Sequence, residues 1–519
     1  MRFTLRLLDR KANTAQTESK FTENGFIKEA ALESLTDADV LIAGAGPTGL
    51  TLALELARRG VGVRIIDKAD RFSVGSRGDG ISPRTLEVFE DLGVLDEVIA
   101  SGISAALTRV YAGEQVVWEG RMAEPAAPRP DVPYPNLWFV PQWRTEQILR
   151  SRLAGYGVEV VLNAGVLAFE QDEHTVTVRL EDGQTLRAAY LVGADGGRST
   201  VRKRLAVPFA GETNEDITML LADVRVDGLD HDYGHGWMLD GQTFFGFTPL
   251  AGADDTYVLN TPASGIPLTL DGLQQTLESA SGRSDIRLRE LTWSTIWRPN
   301  VRMVEQFRVG RVFLAGDAAH VHPPAGGQGL NTGVQDGYNL GWKLGAVLDG
   351  VPDLLLDSYE AERLPVAARV LGISAALLEK HLSGADDAFE RGEETQQLDV
   401  SYRRGPLTLD DGASCTIVAG DRAPDAPCLD HDGRPVRLFD CYAGPHWTLL
   451  RFGATAPTLD RAGVRSYRVG ADLVDAERHI QDAYDVKDGA AVLIRPDGYI
   501  GAITSRPPDL AAYAARVMS

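Results

Sequence analysis

A glycine-rich turn between an apolar strand and a helix constrains the fold of this chain most. Residues 40–43 predict a strand, residues 47–59 predict a helix, and GAGPTG, which begins at Gly44, joins them. In such a turn Gly44 permits the tight bend, Gly46 lets the backbone approach a diphosphate, and Gly49 lets helix and strand pack closely. Free N–H groups at a helix start favour anions. The turn therefore predicts a nucleotide-binding βαβ unit.

A carboxylate follows the next strand, as such a unit requires. The stretch VGVRIID predicts a second strand that ends at Asp67, where a carboxylate can bind both ribose hydroxyls of an adenosine. Both FAD and NAD carry this ribose, so Asp67 does not distinguish them.

Composition excludes several classes of protein. The chain has 519 residues and a net charge of -21, which argues against a nucleic-acid partner and predicts more than one domain. No apolar run is long enough for a membrane span. Residues 1–37 do not resemble a signal peptide, and we expect them to form a flexible extension or else a helix docked on the body of the protein. Three cysteines without CxxC or metal-ligand spacing predict a cytoplasmic protein without disulfides or a metal site.

Two further motifs place a carboxylate at a strand end. YLVGADGGRSTVRKRL brings Asp195 to the end of a strand, and GRVFLAGDAAHVHPP does the same for Asp317. Ligands of open α/β sheets bind at the carboxyl ends of strands, and Asp317 can accept hydrogen bonds from a ribityl chain. The order and spacing of the three motifs favour FAD over NAD.

The three motifs together, over about residues 38–380, resemble the single-component (class A) FAD-dependent aromatic hydroxylases, especially phenol hydroxylase and the aromatic polyketide hydroxylases. The segments GDRAPDAPCLDHDGRPVRLFD and LIRPDGYIGAI are similar to the thioredoxin-like C-terminal domain of the phenol hydroxylase branch, and the redox cysteine pair of a working thioredoxin is absent. The resemblance implies an α/β fold with a Rossmann-like FAD-binding domain of the GR2 type, an interleaved antiparallel-sheet substrate domain and a C-terminal thioredoxin-like α/β domain. The expected boundaries are 1–37 for a flexible extension, 38–204 and 300–382 for the FAD-binding domain, 205–299 for the substrate domain, 383–412 for a linker and 413–519 for the C-terminal domain.

The resemblance also implies roles for individual residues. Arg77 would lie against the FAD diphosphate and the NADPH approach, Gln142 and Asp317 would contact the ribityl chain, and Asp195 would touch both FAD and NADPH. Pro324 and Asn331 would present backbone groups at the active site. The expected cofactor-binding residues are Gly44, Gly46, Pro47, Thr48, Gly49, Asp67, Lys68, Arg77, Gln142, Asp195, Asp317, Gly327, Gly329, Leu330 and Asn331.

The implied reaction is aromatic hydroxylation with NADPH or NADH and O2 as co-substrates, through a flavin C4a-hydroperoxide. Alternatives are a flavin reductase or dehydrogenase without oxygen insertion, and epoxidation or Baeyer–Villiger oxidation of a polyketide. The WxWxIP signature of flavin halogenases is absent. The expected partner is a small aromatic molecule, with the protein a monomer or homodimer. The flavin is expected to move between two positions, with Gly326 and Gly327 providing backbone freedom.

Aromatic residues between 205 and 300 are candidates for a dry substrate pocket. Trp237, Phe245 and Phe247, together with Pro323, are predicted to line it, although sheet core is the alternative for the three aromatic side chains. Phenols react best when deprotonated, so a base is expected. Histidines 231, 235 and 322 are candidates by residue type alone, and the sequence selects none of them.

Overall fold

The computed structural model describes residues 37–121, 123–215, 217–238, 244–252, 254–323, 327–383 and 391–518. Pro324 and Gly326, to which the sequence assigned active-site roles, lie outside the described residues, and so does the predicted extension up to residue 36.

The helices alternate with strands in the first and last thirds of the chain. They are α1 Pro47–Ala57, α2 Pro83–Asp91, α3 Leu95–Ala100, α4 Gln142–Ala154, α5 Thr200–Arg204, α6 Leu270–Ser281, α7 Gln328–Leu348, α8 Asp357–Ser383, α9 Leu438–Tyr442, α10 His479–Tyr484 and α11 Pro507–Val517. Short 3-10 helices occupy Gly316–Ala318, Asp353–Leu356 and Glu393–Thr395.

The strands build three large sheets and two small ones. They are β1 Ala38–Ala43, β2 Val63–Ile66, β3 Gly80–Ile81, β4 Ile103–Ser104, β5 Leu107–Ala112, β6 Gln115–Gly120, β7 Trp138–Phe139, β8 Val160–Val161, β9 Val166–Gln171, β10 Val176–Leu180, β11 Thr185–Gly193, β12 Ala210–Thr213, β13 Met219–Asp227, β14 Tyr233–Met238, β15 Phe244–Pro249, β16 Thr256–Pro262, β17 Arg287–Trp297, β18 Asn300–Met303, β19 Arg308–Val309, β20 Val312–Leu314, β21 His320–Val321, β22 Leu409–Asp410, β23 Pro427–Asp430, β24 Pro435–Arg437, β25 Trp447–Phe452, β26 Val464–Val469, β27 Leu473–Val474, β28 Ala491–Ile494 and β29 Ile500–Thr504.

The first large sheet contains the predicted βαβ unit. Its order is β19-β20-β11-β1-β2-β8, and β10 and β9 continue from β11 as antiparallel partners. Strand β1 pairs in parallel with β2 and β11, so the βαβ prediction is confirmed. The hairpin predicted at Asp182-Gly183 is confirmed too, and Gly183 has a φ of 89° there.

Four chain segments leave this sheet at the same edge. Gly44 follows β1, Asp67 follows β2, Asp195 follows β11 and Asp317 follows β20, and these four strands are parallel neighbours. The three motifs that are far apart in sequence therefore converge at the carboxyl end of the sheet, where ligands of such folds bind.

The second large sheet has the order β17-β13-β16-β15-β14-β5-β6 and is antiparallel apart from the β14–β5 pair. Strands β5 and β6 come from residues 107–120, which the sequence analysis placed in the FAD-binding domain. The chain therefore enters this sheet twice, first with β5 and β6 and again with β13 to β17. Helix α6 covers one face, where Leu273 and Leu277 join its apolar core.

The third large sheet, in the C-terminal part, has the order β22-β29-β28-β25-β26-β27-β23-β24. Strand β22 lies within the segment 383–412 that was predicted as a linker, and residues 391–412 of that segment contact the rest of the molecule. Thr395 and Gln397 are buried, and Gln397 Nε2 donates to Gln328 Oε1 at 2.7 Å. The charged, glycine-containing composition of this segment favoured a linker and gave no sign of these polar contacts with α7.

The C-terminal sheet is held against α7 and α8 by buried ion pairs. Arg495 donates to Glu362 and Asp497, and Glu362 also accepts from Lys343 Nζ at 2.7 Å. Trp342 Nε1 donates to Asp497 at 3.0 Å. Removing one partner of a buried ion pair leaves an unpaired buried charge, which is costly. These ion pairs therefore fix the C-terminal domain on the two helices. None of the helices in the described residues has the length and apolar character that a membrane crossing needs.

Candidate active site

The glycine-rich turn has the geometry that the sequence predicted. Gly44 has a φ of 108°, and a Cβ there would lie 2.2 Å from the Ala194 carbonyl oxygen. A Cβ at Gly49 would lie 2.0 Å from the Gly44 carbonyl oxygen, so only glycine allows α1 to approach β1 this closely. At Gly46 a Cβ would meet no described atom within 4 Å, and this residue and Pro47 line a cavity. The open side of the turn thus faces the cavity at the start of α1. A bound diphosphate needs this position, because free N–H groups of the helix can donate to it there.

Asp67 is fixed beside this turn. Its Oδ2 accepts from Ala45 N at 2.8 Å and its Oδ1 accepts from Ala69 N at 2.8 Å. A carboxylate has about four acceptor sites. Both oxygens therefore keep capacity for ribose hydroxyls, and Asp67 and Lys68 both line the cavity.

The same cavity, with a volume of about 730 Å³, brings most of the predicted cofactor residues together. Asp195 is held by Ser199 Oγ and by Thr200 N, which donates at 2.6 Å, so its carboxylate also caps α5. Gln142 Nε2 donates to Glu146 at 2.8 Å. The predicted residues that line the cavity are Gly44, Gly46, Pro47, Thr48, Asp67, Lys68, Arg77, Gln142, Asp195, Asp317, Pro323, Gly327, Gly329 and Leu330.

Asp317 lines the cavity. Its side chain is exposed there, although many protein atoms surround it. This desolvation raises the pKa of the Asp317 carboxyl, and the charges of His320 and Arg77 oppose the shift. A ribityl hydroxyl would supply the donors that such a carboxylate needs.

Helix α7 begins at the far end of the cavity. Gly327 adopts a φ of 64°, and residues 327–330 line the wall, so the free N–H groups of the first turn face ligand space. The positive end of the helix dipole favours an anion there by about 0.3–2 kcal/mol.

Asn331 follows the four residues of this segment that line the cavity and is not itself among the lining residues, so its predicted backbone role stays a prediction. It is the fourth residue of α7, so its N–H lies beyond the free donors of the first turn. Its buried side chain accepts from Ser82 N at 2.9 Å and donates to the carbonyl oxygens of Gly80 and Gly327 at 2.8 and 2.7 Å. Asn331 therefore fixes the segment before α2 against the start of α7.

The three aromatic residues predicted to line the substrate pocket lie on the opposite face of the second sheet. Trp237, Phe245 and Phe247 are all buried in the core under α6. Phe247 is tilted against Phe245, with ring centroids 5.5 Å apart, and meets Trp237 edge to face. Successive residues of a strand point to opposite faces, and these three residues occupy the positions that point into the core.

The other face of this sheet lines the cavity. Leu221 of β13 pairs with Asn260 of β16 and Thr295 of β17, so the three side chains form one row across the sheet. Thr248 and Val258 form part of the next row. All five line the cavity, so this wall mixes apolar and hydroxyl or amide groups. The sequence analysis missed this wall, although the alternation with the aromatic positions marks it.

Two histidines considered as bases are excluded from the cavity wall. His231 bonds to the Thr256 carbonyl oxygen at 3.0 Å, and His235 bonds to Tyr111 Oη at 3.0 Å and to the Asp230 carbonyl oxygen. His235 is buried and stacks on Trp237 in the core.

His322 does line the cavity, and so does Asp79, a carboxyl whose pKa is raised by burial. His322 Nε2 lies 2.9 Å from His320 Nδ1, and His320 Nε2 lies 2.7 Å from Asp336 Oδ2. Neither Asp79 nor Asp336 was predicted as a site residue from the sequence.

The comparisons with known proteins agree with this geometry. An FAD binding domain family matches residues 37–374, and an aromatic-ring hydroxylase C-terminal family matches residues 416–519. A flavin-dependent monooxygenase of Mycobacteroides abscessus is 48% identical over 92% of this chain and 100% of its own length. A rifampicin monooxygenase of Streptomyces venezuelae is 35% identical over 89% of this chain and 94% of its own.

A solved structure has a similar fold over most of the chain. The ternary complex of aklavinone-11 hydroxylase with FAD and aklavinone has a TM-score of 0.81 and 29% identity, and the match covers 93% of this chain and 99% of that one. FAD is the cofactor and NAD(P)H and O2 are the co-substrates of such enzymes. The chain therefore belongs to the FAD-dependent aromatic hydroxylases and is a flavoprotein monooxygenase.

Proposed function

We propose that this enzyme hydroxylates a phenolic aromatic ring of polyketide size and takes its electrons from NADPH or NADH. The observation that carries the proposal is the single cavity shared by the glycine-rich turn, Asp317, the start of α7 and the polar wall of the second sheet. Its volume of about 730 Å³ is shared by the cofactor and the substrate, which places the sheet wall directly beside the residues expected to hold FAD.

Bound FAD would supply the redox chemistry, which is electron transfer from NAD(P)H and activation of O2. Asp67 and Lys68 would hold its adenosine end, and Asp317 would hold its ribityl chain. The first turn of α7 would stabilise negative charge on its ring system without reorganisation. The chain's own contribution is therefore to hold the cofactor beside the wall of the second sheet and to exclude water there.

The wall of that sheet supports an oxygenated aromatic substrate. Leu221 and Val258 offer flat apolar contact, while Thr248 and Thr295 offer hydroxyl groups. Asn260 Oδ1 is buried and, among the described residues, has no hydrogen-bond partner. A buried acceptor without a donor costs about 1–3 kcal/mol, which a substrate hydroxyl would recover. The names of the rifampicin and aklavinone enzymes support the same size class.

The test uses the purified holoenzyme with NADPH, 18O-labelled O2 and a panel of aklavinone, rifampicin and phenol. We expect faster NADPH oxidation with one of the two large compounds, and a product that contains one atom of the label. NADPH oxidation without label in any product would instead support a reductase or dehydrogenase. A labelled epoxide or lactone would support epoxidation or Baeyer–Villiger oxidation.

We also propose that the C-terminal domain is a thioredoxin-like fold with a structural role. Strands β29-β28-β25-β26 have one parallel pair and two antiparallel pairs, which supports that fold. Burial raises the pKa of Cys428 to about 11 and that of Cys441 to about 12, so neither thiol is activated. Both should react with a thiol reagent only after unfolding, and rapid reaction in the native enzyme would contradict the structural role.

A further inference from the structure

The loop that joins β2 to β3, residues 67–79, passes between the cavity and the second sheet and is named the Arg77 loop. Ser73 and Arg77 line the cavity. Gly75 and Ser76, which lie between them, are buried. The middle of the loop is therefore covered by protein, while residues on both sides of it face the cavity.

The second sheet holds this buried segment at two points. Ser76 N donates to Asp223 Oδ2 at 3.0 Å, and both residues are buried. A Cβ at Gly75 would lie 2.1 Å from the ring of Trp293, so only glycine lets the loop approach the sheet this closely. Asp223 of β13 and Trp293 of β17 are paired across the sheet. One hydrogen bond and one contact of backbone with a ring, on adjacent strands, thus fix the loop.

Asp223 belongs to the face of the sheet that lines the cavity. Its partner on β16 is Val258, which pairs in turn with Thr248, and both of these residues line the cavity. The register between β13 and β17 shifts directly after Asp223. Such bulges re-aim side chains and are frequent beside active sites. The row of residues that forms the cavity wall therefore continues under the Arg77 loop, and Asp223 lies where the wall ends.

Arg77 extends from the loop toward the part of the cavity expected to hold the cofactor. Burial raises the pKa of the Glu146 and Asp317 carboxyls, and the charge of Arg77 opposes both shifts. Its guanidinium therefore lies near both carboxyls, in the cavity into which the glycine-rich turn also opens. A guanidinium binds phosphate groups through two parallel hydrogen bonds, which requires that its planar fork be held in a fixed position.

We propose that Asp223 is a positioning residue, which fixes the Arg77 loop on the second sheet and so aims the Arg77 guanidinium at the diphosphate of a bound dinucleotide. FAD and NADPH both carry such a diphosphate. Without the Asp223 carboxylate, the buried Ser76 N–H would lose its acceptor, which is costly. The loop would then leave the sheet to reach water, and Arg77 would move with it.

The test measures two quantities on the purified holoenzyme without an aromatic substrate. One is the Kd of FAD, from the fluorescence of flavin released on dilution. The other is the NADPH concentration that gives half the maximal rate of anaerobic flavin reduction. In Asp223→Ala we expect a rise of roughly tenfold in one of them, as for loss of one hydrogen bond to a charged group. The quantity that rises assigns Arg77 to the diphosphate of FAD or to that of NADPH.

Two further variants test the contact from either side. Asp223→Asn keeps an oxygen that can accept from Ser76 N, so both quantities should stay close to wild-type values. Gly75→Ala leaves the carboxylate in place and pushes the loop away from Trp293, so it should reproduce the effect of Asp223→Ala.

A double-mutant comparison separates positioning from a general effect on the fold. In an Arg77→Gln background, Asp223→Ala should change neither quantity further, because the guanidinium that it positions is absent. An equal rise in both backgrounds would overturn the proposal, as would wild-type values in Asp223→Ala. The matched control is Asp227→Ala, which removes a partly exposed carboxylate of the same strand and should behave as the wild type. Failure of the proposed hydroxylation would appear separately, as absent label incorporation with the aromatic panel.

Discussion

Two adjacent residues of β15 provide a direct test of which face of the second sheet serves the substrate. Phe247 is 2% exposed and lies in the core under α6, whereas its neighbour Thr248 lines the cavity. Phe247→Ala removes a buried ring that contacts Trp237, Phe245 and Tyr257. We expect a loss of about 3–5 kcal/mol in the free energy of unfolding.

Thr248→Val keeps the volume of the side chain and removes its hydroxyl. We expect its effect on stability to stay within about 0.5 kcal/mol, as for exposed positions. Loss of one neutral hydrogen bond to the substrate costs about 0.5–1.5 kcal/mol, so KM should rise roughly 2–10-fold. If the wall contacts the substrate equally before and during the reaction, kcat should not change.

The assay pairs two measurements on each variant. Stability is the midpoint of urea unfolding with FAD in excess, and KM is measured with the panel compound that gives the labelled product. The milder Phe247→Leu, which is more certain to fold, should lower the midpoint while KM stays unchanged. Equal loss of stability in Phe247→Leu and Thr248→Val, or a KM change confined to Phe247→Leu, would refute the assignment of the two faces.

Three further changes test the cofactor end and the core. Gly49→Val should abolish FAD binding, seen as a colourless protein, because a Cβ there collides with backbone, whereas Gly372→Ala in open space should stay yellow. Asp336→Asn leaves the buried Arg363 unpaired and should lower stability at neutral pH by about 3–5 kcal/mol. The ionised Asp336 carboxylate stabilises the fold above its unfolded pKa of about 3.9, and this stabilisation is lost as the pH falls toward the folded pKa of about 2. The free energy of unfolding should therefore fall less steeply with acid in Asp336→Asn than in the wild type. Asp497→Asn weakens the contact between the C-terminal domain and α7, and hydrogen exchange in α7 should become faster; unchanged exchange would contradict that contact.

Features that depend on neighbouring residues could be predicted from the sequence, whereas those that depend on contacts far along the chain could not. The turn at Gly44 and the start of α2 are local, and both are confirmed: Ser82 accepts from Thr85 N at the helix start, followed by Pro83. By contrast, the entry of β5 and β6 into the second sheet depends on pairing with β14 far along the chain. No local pattern specifies such a partner.

The candidate site divides in the same way. Asp67 and Asp317 were found because each follows a strand within a motif, and parallel strands end at a common edge. The aromatic residues of β14 and β15 were predicted to line the pocket with sheet core as the alternative, because alternation gives two faces without saying which one is covered, and the structure bears out the alternative. Helix α6 decides that question, and its contact with this sheet is a tertiary one.

Helix α7 connects the parts of the molecule that the sequence shows separately. Its first turn lines the cavity, Asp336 lies in its middle with His320 and Arg363, and Asn339 and Trp342 near its end donate to Asp497 of the C-terminal domain. Moving this helix along its axis would break contacts of its first turn, its middle and its later part. The contacts of the last two involve buried charges, which are costly to leave unpaired. If the flavin moves between two positions, α7 therefore stays in place while it does so. Any accompanying change of backbone conformation in this segment is then expected before Gln328, where the helix begins. Gly327, which has a φ of 64° and space around its Cα, is the described residue that permits it.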